Sequence, residues 1–350
     1  MWKNIKQLFQ LLSKISNRVV IGDPLLIHAY RSYGNHREVI VKGRVIENEG
    51  ISVQKEDSLW RNLINNIRRF ETDELRSLPV HFTYRGQLYE DITDREGYFV
   101  FRIPHNSHIQ QPYIHWDKGE ISLPEHKYKS STLIKNPIDI MWPGVHSQFG
   151  IISDIDDTIL KSHVGSWLKL QMIYVTLFKN VYQRKPFDGM NKALEYLALD
   201  QNRNHRNPTF YVSNSPWSLY EVLEEFLQIH GMPDGPICLR DYGAFFGRKL
   251  EDFRQHKSRT IDHLLEFYPQ LPFVLIGDAT EKDADIYLEK YEQNPGRVVG
   301  IFIRQSRNAE LNHRVRQLFE MYPGQPFYLV EHSIDIIRYA QNALTFYRAI

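Results

Sequence analysis

From residue 148 to the end of the chain, short apolar runs alternate with longer stretches whose apolar residues return every three or four positions. A short apolar run bounded by Gly or Pro suits a strand buried on both faces, and the longer stretches suit helices that cover it. Alternation of this kind restricts the region to an α/β unit built on a parallel sheet. The pattern predicts strands over 149–153, 209–213, 236–239, 273–277 and 298–303. Helices are expected near 189–198, 218–230, 255–268 and 283–294, and near 167–182 within an apolar insertion that reads equally as a buried helix or a lid. A last unit, a strand near 327–330 and a helix near 334–343, closes the chain.

Residues 19–135 read differently. Stretches 25–30, 39–46, 79–84, 87–92 and 98–103 are rich in β-branched and aromatic residues, with turns at Arg85-Gly86 and 94–97. Between them 57–78 has a helical face of Leu59, Leu63, Ile67 and Phe70, with Asp57 as a cap. The expectation is a small, mostly antiparallel β-sandwich with one helical excursion. Pro137, Pro143 and Gly144 mark 136–147 as a linker, and 148–350 forms the α/β domain. In 1–18, Trp2, Ile5, Leu8, Phe9, Leu12 and Ile15 form an amphipathic stripe with Lys3, Lys6 and Lys14 off it. Such a helix packs on its own domain or lies on an anionic membrane surface. No small-residue cleavage site follows, so the stretch does not read as a signal peptide.

Composition narrows the class. Lys and Arg number 43 against 42 Asp and Glu, a formal charge of +1, so no global field recruits nucleic acid. Cys238 is the single cysteine, which rules out an internal disulfide and fits a reducing, cytoplasmic compartment. No apolar run reaches the roughly 20 residues a membrane-spanning helix needs.

The chemistry sits at the strand ends, where ligands of open α/β sheets bind. The first strand runs into Asp154-Ile-Asp156-Asp157-Thr158, and alternation puts Asp154 and Asp156 on one face. Like charges so close need a cation or a task to offset their repulsion. The second strand ends in Ser213-Asn214-Ser215-Pro216, a basic helix start carries Lys257, and the fourth strand ends in Gly277-Asp278 with Asp283 beyond it. Taken singly, each is equally an acidic turn, a helix entry or a solvated lysine. In chain order they bring carboxylates, a hydroxyl and a cation to one crevice.

This ordered set resembles the haloacid dehalogenase-like phosphohydrolases. In more detail, Ser153-Asp-Ile-Asp-Asp-Thr158, 211–217, and Leu275-Ile-Gly-Asp278 followed by Asp283 look like the actin-patch phosphatidate phosphatase family and its bacterial relatives. Tyr30-Arg-Ser-Tyr-Gly-Asn35 and Val41-Lys-Gly-Arg-Val45 are similar to that family too. The resemblance implies a Rossmann-like parallel sheet of the haloacid dehalogenase type and a Mg²⁺-dependent hydrolase acting on phosphatidate. It implies that Asp154 attacks phosphorus and that Asp156 serves as acid and base. Asp154, Asp156 (through its backbone carbonyl), Asp278 and Asp283 would hold or support Mg²⁺. Ser213 and Lys257 would bind the transferring phosphoryl group, with Thr158 and Asn214 as further substrate contacts; Lys249 is the other lysine near that motif. A soluble phosphomonoester as substrate and a non-enzymatic scaffold remain the alternatives, and the sequence names no protein partner for the sandwich.

Overall fold

The computed structural model describes residues 25–47, 78–94, 96–106, 111–124, 134–155, 189–200, 202–240, 253–280 and 282–343. The expected helices at 1–18 and 57–78, the latter except for Leu78, and the insertion helix at 167–182 lie outside these residues.

The first part of the chain forms a seven-stranded sheet. Its strands are β1 (Leu25–Gly34), β2 (Glu38–Glu47), β3 (Pro79–Tyr84), β4 (Gln87–Ile92), β5 (Tyr98–Pro104), β6 (His115–Leu123) and β7 (Ile134–Trp142). They lie in the order β4-β3-β6-β7-β1-β2-β5, and all pairs are antiparallel except β1 with β7. Alternation sorts each strand: in β5, Phe99, Phe101 and Ile103 point inward while Val100 is exposed. The inward faces of β1, β2, β3, β5, β6 and β7 meet in one core, where the Phe82 and Phe101 rings lie 5.5 Å apart. A single sheet therefore coils on itself where two stacked layers were expected. Period-two alternation says which residues face inward, and it is the same for a sandwich and for a coiled sheet.

The expected linker 136–147 needs correction, because its first seven residues lie inside β7. Pro137 misled because proline cannot donate to a ladder. It is tolerated because β7 pairs with β1 only at Ile140 and Met141, which leaves Pro137 in register with Glu120 of β6 alone. Strand β6 escaped the pattern because only its last three residues are buried.

The second sheet has six strands: β8 (Gly150–Asp154), β9 (Thr209–Pro216), β10 (Ile237–Arg240), β11 (Phe273–Asp278), β12 (Val298–Arg304) and β13 (Phe327–Val330). They run β10-β9-β8-β11-β12-β13 and every pair is parallel. The helices are α1 (Met190–Ala198), α2 (Tyr220–Ile229), α3 (Phe253–Phe267), α4 (Asp283–Gln293), α5 (Ala309–Glu320) and α6 (Ser333–Ala343). Leu194, Phe226 and Ile336 carry α1, α2 and α6 onto one face of the sheet. Ile261, Ile286 and Val315 carry α3, α4 and α5 onto the other. Both faces are covered, which is why β11 and β12 are buried at every residue and read as unbroken apolar runs. Helix α5 was not anticipated; its start is marked by Asn308, whose side chain accepts a hydrogen bond from the Glu310 N–H.

The 30–35 motif joins the two sheets. Tyr30 stands in the α/β core, and the Tyr33 ring packs edge-on to Phe210 and Phe267. The Arg31 N–H donates to Tyr220 Oη at 2.7 Å, and its guanidinium pairs with Glu224 and Asp234 at 3.1 and 2.8 Å. Asn35 Nδ2 donates to the Phe267 carbonyl at 2.5 Å. Among the described residues no helix is long and apolar enough to cross a membrane.

Candidate active site

In chain order the second sheet builds outward from β8 in one direction, then returns to build outward from it in the other. The reversal falls between β8 and β11, the place where ligands of open α/β sheets bind. Asp154 is the last residue of β8 and Asp278 the last of β11. Both line one pocket, together with Arg304 at the end of β12. Ser213 lies in β9, the other neighbour of β8, one residue beyond the Asp154–Val212 register. It is fully buried, and its hydroxyl oxygen accepts from the Ser215 N–H at 2.9 Å. Asn214, between them, is half-buried.

Lys257 enters from the first turns of α3 and Asp283 opens α4. Lys257 Nζ donates to Asp154 Oδ1 at 3.0 Å and to Asp283 Oδ1 at 2.5 Å. The three side chains are 1%, 3% and 0% exposed, so the charges are held by one another rather than by water. Asp283 Oδ2 accepts from the Asp278 N–H at 3.1 Å and so fixes the end of β11. Asp278 Oδ1 accepts from the Thr280 N–H at 2.6 Å, and Oδ2 from Arg304 Nη2 at 2.8 Å. Thus Asp154, Ser213, Lys257, Asp278 and Asp283 all gather at the sheet's switch point. Asp156, Thr158 and Lys249 lie outside the described residues.

Sequence reasoning missed Arg304. It placed the last core strand at 298–303 and stopped one residue short. A basic residue directly after an unbroken apolar strand was the available signal, since a buried cation needs a partner.

Gly277 explains how Asp278 and Asp283 come so close. A Cβ there would lie 2.3 Å from Asp283 Oδ2 and 2.8 Å from Asp283 Cβ. Asp283 cannot retreat, because both its carboxylate oxygens are engaged. Gly277→Ala is therefore expected to destabilise the fold by about 1–3 kcal/mol through overpacking. Urea denaturation reads that loss.

Three carboxylates here face two cations, which leaves one formal negative charge. Among the described residues lining the Asp154–Asp278 pocket there is no cysteine or histidine. Carboxylate oxygens without thiolate or imidazole suit a hard cation, and Mg²⁺ in particular uses one or two protein carboxylates and keeps several waters. The residues present fit that ion.

Residues 149–305 match the family described as "Phosphatidate phosphatase APP1, catalytic domain". Phosphatidate phosphatase APP1 of Saccharomyces cerevisiae is 32% identical over 161 residues, covering 46% of this chain and 26% of the yeast protein. An uncharacterized protein of Schizosaccharomyces pombe is 29% identical over 155 residues, 44% of this chain and 24% of that one. The chain thus spans about a quarter of the length of these curated relatives. Among solved structures, a β-glucuronidase of Lactobacillus rhamnosus aligns over 88% of this chain and 53% of its own at 9% identity. Its TM-score of 0.25 carries no argument about fold or activity.

Proposed function

We propose that this chain, whose residues 149–305 belong to the family of the APP1 phosphatidate phosphatase catalytic domain, is a Mg²⁺-dependent phosphatidate phosphatase with a haloacid dehalogenase-type sheet. The observation that carries the reading is the Asp154–Lys257–Asp283 network beside Asp278, at the one place where the sheet reverses. The activity and substrate come from the relatives' catalytic domain; the chemistry comes from these side chains.

Asp154 is the nucleophile. One of its carboxylate oxygens attacks phosphorus, the phosphorus–oxygen bond to the glycerol breaks, and an aspartyl-phosphate forms. Asp156 gives its proton to the departing alkoxide, which leaves as diacylglycerol. It then takes a proton from the water that attacks the aspartyl-phosphate, which releases phosphate and restores Asp154. Lys257 and Ser213 hold the phosphoryl oxygens as charge moves over them, and Thr158 and Asn214 serve as further substrate contacts. Asp154, Asp278 and the backbone carbonyl of Asp156, with Asp283 in support, would hold Mg²⁺, which would supply the positive charge that offsets the repulsion between the phosphate dianion and an anionic nucleophile. Arg304 fixes the orientation of Asp278. Residues 1–18 would meet the anionic surface that presents the lipid, or else pack on their own domain, and the coiled sheet serves as an accessory unit to 148–350.

Phosphate release from phosphatidate vesicles, compared with a soluble phosphomonoester, tests the assignment. Chelation with EDTA is expected to silence release from phosphatidate, and added Mg²⁺ to restore it. Activity that survives exhaustive chelation would remove Mg²⁺ from the mechanism. Efficient hydrolysis of the soluble ester with none of phosphatidate would replace the lipid substrate and leave the phosphatase reading standing.

A further inference from the structure

A cavity of about 340 Å³ lies between the coiled sheet and helix α3, and none of the described residues lining it lines the Asp154–Asp278 pocket. Its size falls in the range of small-molecule sites. Tyr30, Tyr33 and Trp217 are part of its wall, and the Tyr30 and Trp217 rings stack with centroids 4.9 Å apart. Three cations reach it from three separate elements: Lys42 of β2, Arg102 of β5 and Arg259 of α3.

Lys42 Nζ sits 5.5 Å from the centroid of the Trp217 ring. Arg102 also meets Glu38, at 3.4 Å on the exposed side of the strands. Among the described residues of the lining Asp94 is the one acidic residue, and its Oδ1 accepts the Glu96 and Tyr98 N–H groups at 2.8 and 2.9 Å. Burial, and then the charges of Lys42 and Arg102, push His263 down to about 4, so it is neutral beside Tyr33 Oη at 3.1 Å. Helix α3 is therefore a partition with two faces. Lys257 serves Asp154 and Asp283 on one side, while Arg259 and His263 face the cavity on the other.

We infer that this cavity is a second binding site, separate from the Asp154 crevice, for a phosphate-bearing molecule whose body packs against the aromatic wall. Guanidinium forks match phosphate oxygens in pairs, a lysine adds a point charge, and a convergent set of cations on an aromatic floor suits such a ligand. The inference does not depend on the reaction assigned to the crevice. Trp217 touches the cavity and gives a direct readout of its occupancy.

The test uses the full-length protein labelled with 5-fluorotryptophan, the Trp217 resonance being assigned by its loss in Trp217→Phe. Two probes are titrated: phenylphosphonate, a non-hydrolysable soluble phosphate mimic, and vesicles of phosphatidylglycerol in phosphatidylcholine against phosphatidylcholine alone. A saturable shift of the Trp217 signal is expected. It should weaken at least about tenfold in Lys42→Gln/Arg259→Gln, while Lys42→Arg retains it. A shift with phenylphosphonate alone identifies a soluble phosphorylated ligand, and a shift with phosphatidylglycerol alone identifies a lipid headgroup. No shift with either probe overturns the site. So does a shift that the folded double variant keeps unchanged, since that signal would arise from the Asp154 crevice. Phosphate release measured on the same samples reports separately on the crevice.

Discussion

Asp154→Asn is expected to lower phosphate release by roughly 10⁴-fold or more, the scale on which removing a covalent nucleophile acts. A neutral amide cannot attack phosphorus to form the acyl-phosphate. The substitution preserves shape, and Lys257 keeps its contact with Asp283 at 2.5 Å, so the network retains a charged pair. The fold should survive with a stability change of about 1 kcal/mol or less. Single-turnover measurements and urea denaturation on the same preparation separate the two effects. A folded variant that turns over at the native rate would end the covalent mechanism.

Lys257→Met should damage both stability and rate. Asp154 and Asp283 are almost wholly shielded from water, and the lysine lies between them. Its removal leaves two buried carboxylates with the shared cation gone, a change of about 3–5 kcal/mol by analogy with broken buried pairs. Adding Asp283→Asn to Lys257→Met should recover part of the stability and none of the activity, since the phosphoryl oxygens would still lack their cation. Urea midpoints and phosphate release give the two readings. If Lys257→Met is stable and active while Lys249→Ala is dead, the phosphate-binding lysine is the other one.

Much of the second sheet was legible in the chain because its signals are local. Strands buried on both faces appear as continuous apolar runs, and Asp154, Gly277-Asp278 and Asp283 stand at or after their ends, while Ser213 follows the apolar run inside β9. What was illegible depended on contacts across the fold. Arg304 has meaning only beside Asp278, which is 26 residues away. Strand β6 is too polar along most of its length to show a period, and β7 carries a proline that only its sparse pairing with β1 accommodates. The coiling of the first sheet is likewise a property of where its ends lie, and no stretch of residues records it. The purpose of the 30–35 motif was equally hidden, since the partners that tie it to the second sheet, Phe210, Tyr220 and Phe267 among them, lie far downstream in the chain.

That motif ties the thermal behaviour of the whole molecule together. Tyr30 and Tyr33 are 4% and 5% exposed, and both are counted in the packing of the α/β half. An aromatic ring of this kind removes about 150–250 Å² from water. A truncated protein starting at residue 148 would therefore open a greasy scar where the two tyrosines had been, with Glu224 and Asp234 deprived of Arg31. Neither half should melt ahead of the other on heating; calorimetry should record one cooperative transition, and the excised segment should precipitate from solution.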